Sequence, residues 1–321
     1  MSRSGLFVWI LCAGCAATPP AAAPAPPAAP APSEWVSTLD RGHALVGKVW
    51  DVRQSKLVEP APFFQELARA RFVLLGERHD NPDHHRLQAR ALQAMIDAKR
   101  TPTVVFEMLE VESQPEIDRY RTEPTATSAG FGAALRWEKS SWPPFAEYQP
   151  IFDVAFAAGL RIAAGNLAHA SARALVKQGP AALPDAKRQE LRLDQAFPPH
   201  LEAPLLDELR ASHCGHLPEH LLGPMALAQH ARDAQMARAL LDAGENGAVL
   251  IAGSGHARLD RGVPYYVALE APGATVASVA LVEVQHERTD AAAYAESAGP
   301  FHYLWFTPRL TDEDPCAAFK K

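Results

Sequence analysis

The stretch Phe72-Val73-Leu74-Leu75-Gly76-Glu77-Arg78-His79 decides the fold class. Four consecutive apolar residues that stop at a glycine are typical of a strand buried on both faces. Glu77 and His79 then come just past the carboxyl end of this strand, which is where open α/β sheets build their sites. The stretch therefore predicts a buried strand that leads into a carboxylate and an imidazole.

Three later runs repeat this pattern of an apolar strand followed by polar residues. They are residues 103–106, 161–164 and 248–252, and a helical pattern over residues 84–99 separates the first two strands. A strand, helix, strand order predicts a right-handed parallel unit. We therefore expect an α/β fold with a mainly parallel sheet flanked by helices. Parallel strands end at one edge, so that edge should gather Glu77, His79, Glu107, Asn166 and His256.

Composition places the chain among ordinary globular proteins. Of its 321 residues, 48% are hydrophobic and 21% are charged, which is enough for the core of one large domain. We assign that domain to residues 34–321, with a helical insertion at about residues 168–222 that caps the carboxyl edge of the strands. A net charge of −6 with scattered lysines and arginines excludes the broad basic surface that nucleic-acid binding needs.

The amino terminus has the order of a secretory signal. Arg3 precedes an apolar run over residues 6–11, and small residues then lead to Cys15. This order resembles a bacterial lipoprotein signal, which predicts removal of residues 1–14 and lipidation of Cys15. Residues 15–33 would then form an extended Ala/Pro-rich tether. We expect a cell-envelope protein with a lipid anchor, in the outer membrane rather than the inner one. A soluble periplasmic protein with an ordinary signal is the alternative.

Apart from Cys15, two cysteines lie beyond the signal, Cys214 and Cys316. An even pair in an oxidising compartment predicts a disulfide, which would join the C-terminal tail to the body of the domain. Closing so long a loop contributes on the order of 4 kcal/mol in the chain-entropy model. Two unpaired buried thiols are the competing interpretation.

A helix predicted at residues 224–243 carries polar residues within its apolar stripe. Met225, Gln229, Asp233 and Met236 lie on or near one face. An unpaired buried carboxylate costs several kcal/mol, so Gln229 and Asp233 need partners. The polar groups at the sheet edge are the natural partners, and a half-exposed helix face is the alternative.

The motifs that are present, and those that are absent, limit the kinds of chemistry that the site can perform. The sequence has no Gly-Lys-Ser/Thr phosphate loop, no complete dinucleotide fingerprint and no His-Glu-x-x-His helix. What remains is two Gly-x-x-His motifs ending at His79 and His256, with Glu107 between them in the chain. Such a set suits a divalent metal held by His79, His256 and Glu107. It also suits a catalytic set of Glu77, His79, Glu107 and His256, with a histidine as general base.

One combination of motifs runs through roughly residues 45–310. It consists of Gly76-Glu77-Arg78-His79-Asp80 with His84-His85, Phe106-Glu107 with Gln114, Trp137 with Tyr148, Asn166, Gln229 with Arg232-Asp233 and Met236-Ala237, and Gly253-Ser254-Gly255-His256 with Gly262-Val263-Pro264. This combination resembles the ChaN family of haem-binding, iron-regulated lipoproteins, within the Tiki and erythromycin-esterase-like superfamily. The resemblance implies a parallel sheet with a helical subdomain, and it gives a supporting role to Gln114, Asn166, Gln229 and Asp233.

The resemblance also implies a cofactor and a partner. ChaN-like proteins hold haem between two protomers, with a tyrosine on the iron and basic or histidine groups at the propionates. We therefore expect haem as the cofactor, with a divalent metal as the alternative, and a homodimer. A phenolate favours ferric iron, which suits haem capture. The matched motifs do not include the haem ligand, so Tyr120, Tyr294 and Tyr303 stay eligible, and we nominate Tyr148, Tyr265 and Tyr266.

The leading hypothesis is a membrane-tethered haem-binding lipoprotein that serves haem or iron uptake. The second is a hydrolase of the same superfamily, either metal-dependent or based on His79, His256, Glu77 and Glu107. The third is a module that binds another ligand and retains the residues of a former active site without its activity. The sequence leaves open whether the protein is an enzyme.

Overall fold

A computed structural model describes residues 35–314, residues 316–317 and Met1. Apart from Met1, the predicted signal, Cys15 and the Ala/Pro-rich tether lie outside the described residues, so they stay predictions. Within the described ranges, one sheet of eight strands is flanked by twelve α-helices. The predicted α/β class is confirmed. In the same ranges, no helix combines the length and the apolar character needed to cross a bilayer.

The elements follow one another in an alternating order. The strands are β1 Val49–Asp51, β2 Lys56–Val58, β3 Phe72–Glu77, β4 Thr103–Glu110, β5 Ile162–Asn166, β6 Ala248–Gly253, β7 Val276–Glu283 and β8 Tyr303–Thr307. The helices are α1 Pro60–Arg69, α2 Pro82–Asp97, α3 Gln114–Arg121, α4 Ser128–Ala134, α5 Phe145–Ala157, α6 His169–Gln178, α7 Asp185–Glu190, α8 Pro199–Ser212, α9 Glu219–Leu241, α10 Ser254–Ala257, α11 Val263–Glu270 and α12 Ala291–Ala298.

The sheet has the order β2-β1-β8-β7-β3-β6-β4-β5. The six strands from β8 to β5 run parallel, and β1 and β2 form an antiparallel hairpin beside β8. The prediction of a mainly parallel sheet is therefore confirmed. Strand β6 lies between β3 and β4, although it comes last of the three in the chain.

Both faces of the sheet are buried, which explains the unbroken apolar runs. In β3, Val73 and Leu75 belong to the core on one face, whereas Phe72 and Leu74 belong to the core on the other. Residues from helices α1 to α5 cover the first face, and residues from α6, α9, α11 and α12 cover the second. The two cores hold the parallel strands rigidly, so that the residues at their carboxyl ends are well positioned.

Helices lie over the carboxyl edge of the strands, as predicted. Helix α8 reaches this edge, because Glu208 forms an ion pair with Arg261, which follows β6. Helix α9 packs against β4, β5 and β6. It begins at Glu219 rather than near Pro224, since a first turn forms ahead of the proline.

The predicted disulfide between Cys214 and Cys316 is present, and the interpretation as two free thiols is wrong. It joins the loop after α8 to the C-terminal tail across a separation of 102 residues. A loop of that length corresponds to about 4–5 kcal/mol in the chain-entropy model. The covalent link therefore stabilises the helical layer above the sheet.

Candidate functional site

The carboxyl ends of β3, β4 and β6 bring a group of ionisable side chains together, as predicted. We call this group the polar cluster, and its members are Glu77, His79, His85, Glu107, Tyr148, Gln229, Asp233 and His256. Gly76 allows the close approach, because a Cβ there would lie 2.8 Å from the Cα of Ser254 at the start of α10. The expectation that the strand-end acids and imidazoles meet is therefore confirmed for Glu77, His79, Glu107 and His256.

Glu77 is the last residue of β3 and is buried. Its Oε1 accepts a hydrogen bond from the Tyr148 hydroxyl at 2.7 Å and lies 2.9 Å from Nδ1 of His79. Its Oε2 lies 3.4 Å from Nε2 of His85, which is beyond good hydrogen-bond geometry. Burial raises the pKa of Glu77, but His85 and His79 outweigh burial and hold that pKa below its usual range. Glu77 is therefore a carboxylate at neutral pH.

Glu107 lies inside β4, not past its end, because β4 continues to Glu110. The pairing of β4 with β5 shifts register between Phe106 and Glu110, and such irregularities commonly redirect side chains near sites. The Gly253 amide donates to Oε2 of Glu107 at 2.8 Å, and Nε2 of His256 lies 3.2 Å from Oε1. Burial raises the pKa of Glu107, but His256 outweighs it and lowers the pKa to about 2.

His256 connects Glu107 to helix α9. Its Nδ1 lies 2.6 Å from Oδ1 of Asp233, and the amide nitrogen of Gln229 lies 3.2 Å from the same Nδ1. Burial lowers the pKa of His256, but Glu107 and Asp233 outweigh it and raise the pKa to about 10. Burial raises the pKa of Asp233 to about 6. The prediction that Gln229 and Asp233 find partners at the sheet edge is confirmed.

His79 is the member of the polar cluster that reaches solvent, with 34% of its side chain exposed. The Trp142 ring packs edge-on against it at 4.9 Å between ring centroids. Burial lowers the pKa of His79, but Glu77 and Glu107 outweigh it and raise the pKa. The acidic neighbours thus shift both imidazoles towards the protonated form. The catalytic role of Glu77, His79, Glu107 and His256 stays a prediction.

The predicted metal set of His79, His256 and Glu107 is not arranged as a metal site. Over the described ranges, no group of three His, Cys, Asp or Glu side chains has a geometry that would hold a metal ion. The physical reason is that these side chains are paired with one another. Nε2 of His256 faces Glu107, its Nδ1 faces Asp233, and an oxygen of Glu107 accepts the Gly253 amide.

Two predicted supporting residues do not join the polar cluster. Gln114 bonds the backbone of β5 instead, donating to the Ile162 carbonyl at 3.2 Å and accepting from the Ala164 amide at 2.7 Å. Asn166 ends β5 in a buried position, and its Oδ1 has no hydrogen-bond partner among the described residues. Sequence reasoning also missed His85 and Trp142 as neighbours of the site. The available signal for His85 was the His84-His85 pair, which follows Glu77 and His79 by a few residues at the start of the predicted helix.

A second region lies beside the polar cluster, between α9, α11 and the loop that precedes α8. We call it the aromatic cleft, and its walls include Leu193, Phe197, Leu227, His230, Tyr265 and Leu269. The cavity measures about 130 Å³. Arg192 stands at the cleft, paired with Glu270. No sequence motif predicted the aromatic cleft, because Phe197 and His230 are single residues far apart in the sequence.

The three nominated tyrosines differ in their surroundings. Tyr148 is buried in the polar cluster, and burial together with Glu77 raises its pKa well above the usual range. Tyr266 is also buried, and burial followed by Asp233 raises its pKa in the same way. Tyr265 is half-buried and lines the aromatic cleft, with its ring 5.1 Å from Phe197. Tyr265 and Tyr266 both line the aromatic cleft, and Tyr265 is the more exposed of the two.

A comparison with known families decides the identification. The profile described as haem-binding uptake, Tiki superfamily, ChaN matches residues 63–267, a range that holds both the polar cluster and Tyr265. The chain belongs to the ChaN family. No curated protein matches the chain.

Solved structures agree with the fold of this ChaN-family chain. A structure of cofacial haem binding to ChaN of Campylobacter jejuni is similar over 80% of this chain and 95% of that one, with a TM-score of 0.64 and 22% identity. The type III effector HopBA1 is 11% identical over 77% and 91% of the two chains, with a TM-score of 0.37. An erythromycin esterase EreC in its open conformation is 12% identical over 78% and 80%, also with a TM-score of 0.37. Only the first similarity is close enough to support the fold.

Proposed function

We propose that this ChaN-family protein binds haem in the aromatic cleft, with Tyr265 as the iron ligand. The observation that carries the proposal is a half-buried tyrosine in a cleft with aromatic and aliphatic walls. Apolar walls suit the faces of a porphyrin, and the Arg192 guanidinium at the cleft suits a propionate. A phenolate is a hard anionic ligand, which suits ferric iron and haem capture.

Two of the other candidates are disfavoured as iron ligands by their surroundings. Iron coordination requires the phenolate, and the raised pKa of Tyr148 and of Tyr266 disfavours that form. Tyr303 lines a different cavity, where its hydroxyl accepts a hydrogen bond from Arg53 at 3.0 Å and burial raises its pKa. Tyr120 uses its hydroxyl to contact the Thr127 backbone, and the Tyr294 hydroxyl contacts Gln285.

A second copy of the chain would complete the site. Pockets that enclose a drug-sized ligand measure roughly 300–1,000 Å³, whereas the aromatic cleft measures about 130 Å³. The cleft would therefore cover one face of a porphyrin, and Leu269, which is 44% exposed, extends its apolar surface outward. The ChaN of Campylobacter jejuni binds haem cofacially. We infer the same arrangement here, with two haems stacked between two protomers.

The cellular role that fits this chemistry is haem or iron uptake at a membrane. A lipid on Cys15 and the tether of residues 15–33 would hold the domain at the bacterial outer membrane, and the order of the first 15 residues supports this placement. Fractionation of cells that express the full chain tests it. Recovery with the outer membrane is expected, and recovery in the soluble periplasmic fraction would contradict the anchor.

Haemin titration of all six tyrosine-to-phenylalanine variants tests the haem site. The wild type should show a saturable Soret band and form dimers as haemin is added, measured by absorbance and by sedimentation velocity. Tyr265→Phe should weaken haemin binding at least about tenfold, because the anionic ligand is lost. Tyr303→Phe and Tyr120→Phe are matched controls and should bind as the wild type does. A wild type that binds haemin no better than an unrelated protein would refute the proposal.

A further inference from the structure

A cavity of about 430 Å³ lies at the start of helix α5, and it shares no wall residue with the aromatic cleft. We call it the tryptophan groove, and its rings belong to Trp137, Trp142, Pro144 and Phe145. Trp142 and Phe145 are half-buried, and Pro144 is exposed. The groove therefore presents aromatic and proline rings to solvent, which suits an elongated apolar ligand.

The two tryptophans of the groove differ in their hydrogen bonding. The indole N–H of Trp137 donates to the Pro143 carbonyl at 2.8 Å. In contrast, no described residue accepts a hydrogen bond from the indole N–H of Trp142. The Trp142 ring can therefore contact an apolar ligand and also donate to a carbonyl of that ligand.

The chain itself contains a segment with the matching properties. Pro24, Pro27 and Pro30 recur at every third residue. Polyproline II has three residues per turn and no internal hydrogen bonds, so the three prolines would share one face and the backbone carbonyls would stay free. Segments with this proline spacing are recognised by aromatic-lined grooves, because their extended conformation costs little entropy to fix.

This segment is close enough to reach the groove. The Val36 amide donates to Asp83 at 2.8 Å, which fixes the point where the domain begins. Asp83 follows His79 by four residues, so their Cα atoms lie at most about 14 Å apart, and His79 contacts Trp142. Pro30 precedes Val36 by six residues, which span about 19 Å in polyproline II. The prolines can therefore cover the distance between the start of the domain and the groove.

We propose that residues 24–30 dock in the tryptophan groove of their own chain as a polyproline II segment. Pro24, Pro27 and Pro30 face the aromatic rings, and Trp142 donates to a backbone carbonyl of the segment. Residues 16–33 carry no charge, so the contact is apolar and does not weaken with salt. The docked segment lies beside His79, the member of the polar cluster that reaches solvent.

The docking also sets how the domain is held if Cys15 is lipidated, as proposed above. Nine residues separate Cys15 from Pro24, and they span about 28 Å in polyproline II. The docked segment therefore keeps the carboxyl edge of the sheet close to the membrane.

Hydroxyl-radical footprinting of the full chain, measured residue by residue with mass spectrometry, tests the docking. The triple variant Pro24→Ala, Pro27→Ala and Pro30→Ala removes the prolines of one face. Oxidation of Trp142 should become at least about twofold faster in this variant, because the segment no longer covers the indole ring.

A second triple variant is the matched control. Pro20→Ala, Pro26→Ala and Pro32→Ala removes the same number of prolines from a different face of the segment. Oxidation of Trp142 should then match that of the wild type, and half-buried Trp50 on β1 should be oxidised equally in all three proteins. All six substitutions lie outside residues 35–314, so misfolding of the domain does not confound the comparison.

Two results would overturn the inference. One is a Trp142 oxidation rate that changes in neither triple variant, or changes equally in both. The other is protection of Trp142 in the wild type that disappears when the protein is diluted tenfold, because the segment would then come from a second copy of the chain. Protection that is independent of dilution and lost only in the first variant supports docking within one chain.

Discussion

The polar cluster and the aromatic cleft both border helix α9, but an imidazole in each region differs in how its ring nitrogens are paired. Helix α9 contributes Asp233 to the cluster and, three residues earlier, His230 to the cleft. In the cluster, Asp233 and Glu107 each lie within 3.2 Å of a His256 nitrogen. In the cleft, the nitrogens of His230 have no such partner within the part of the chain that the structure describes.

The difference lies in the pairing of two imidazoles on the two sides of α9: His256 has two acidic partners, whereas His230 has none among the described residues. Buried charges persist only when they are paired, and Glu107, Asp233 and His256 of the polar cluster meet that condition among themselves, whereas His85 in the same cluster has no hydrogen-bond partner among the described residues. An unpartnered imidazole lowers stability and is retained where it serves another purpose. The cluster, which carries the recognisable motifs, therefore acts chiefly as an internal network. The cleft, which carries no recognisable motif, is a better candidate for a ligand site than the cluster.

The largest expected effect is on the polar cluster. Glu107→Gln removes the carboxylate between His256 and His79, so a buried imidazolium loses its main partner. Breaking a buried ion pair in this way costs about 3–5 kcal/mol, and we expect the free energy of unfolding to fall by that amount. Urea denaturation measures it. Glu110→Gln, on an exposed residue of the same strand, should change stability by less than about 0.5 kcal/mol. Equal small losses of stability in Glu107→Gln and Glu110→Gln would contradict the view that the polar cluster depends on its internal charge pairs.

Glycine substitutions should have unequal effects in the two regions. A Cβ at Gly253 would lie 2.9 Å from Nε2 of His79, so Gly253→Ala should destabilise the protein by about 1–3 kcal/mol. Gly223 lies in α9 at the cleft, and a Cβ there meets no heavy atom within 4 Å apart from its chain neighbours. Alanine is favoured over glycine in a helix, but Pro224 follows directly and disfavours a helical residue with a Cβ before it, so Gly223→Ala should change stability by less than about 0.5 kcal/mol. Thermal unfolding measures both changes, and equal losses would contradict the distinction between the regions.

The smallest expected effect is the change in the free energy of unfolding per pH unit. His256 has a folded pKa of about 10, above the value near 6.5 of an unfolded histidine. Between these values the folded state holds a proton that the unfolded state has lost. The free energy of unfolding should fall by at most about 1.4 kcal/mol per pH unit between pH 7 and 9.

Urea denaturation at pH 7, 8 and 9 measures this slope in the wild type and in His256→Gln. The variant cannot titrate at this position, so its stability should change less over the same range. The stability contributed by His256 is fully present below about pH 6.5, which fixes the sign. A wild type that becomes more stable towards pH 9 would show that His256 is not held in its protonated form.

The sequence was informative where the chain itself repeats a pattern. The run from Phe72 to Leu75 predicted β3 because four apolar residues need burial on both faces, and the same reasoning found β4, β5 and β6. It also predicted that Asp233 needs a partner, because a buried carboxylate cannot stay unpaired. These inferences depend on local pattern and on electrostatic cost, which the sequence carries.

Other features depend on contacts between distant segments, and the sequence does not record them. Strand order is one, since nothing in residues 248–252 indicates that β6 lies between β3 and β4. The role of Gln114 is another, because its partners are backbone groups of β5. The aromatic cleft is a third, because Phe197 and His230 meet only after the helices have packed.

The position of β6 also affects how the chain folds. Strands β3 and β4 do not pair with each other, so the centre of the sheet forms only after residues 248–253 have joined it. Pairings so distant along the chain make folding slow. If the protein is exported as a lipoprotein, most of the chain can be threaded through the membrane before its sheet can close. The topology thus delays folding during the interval in which a secreted chain must remain unfolded.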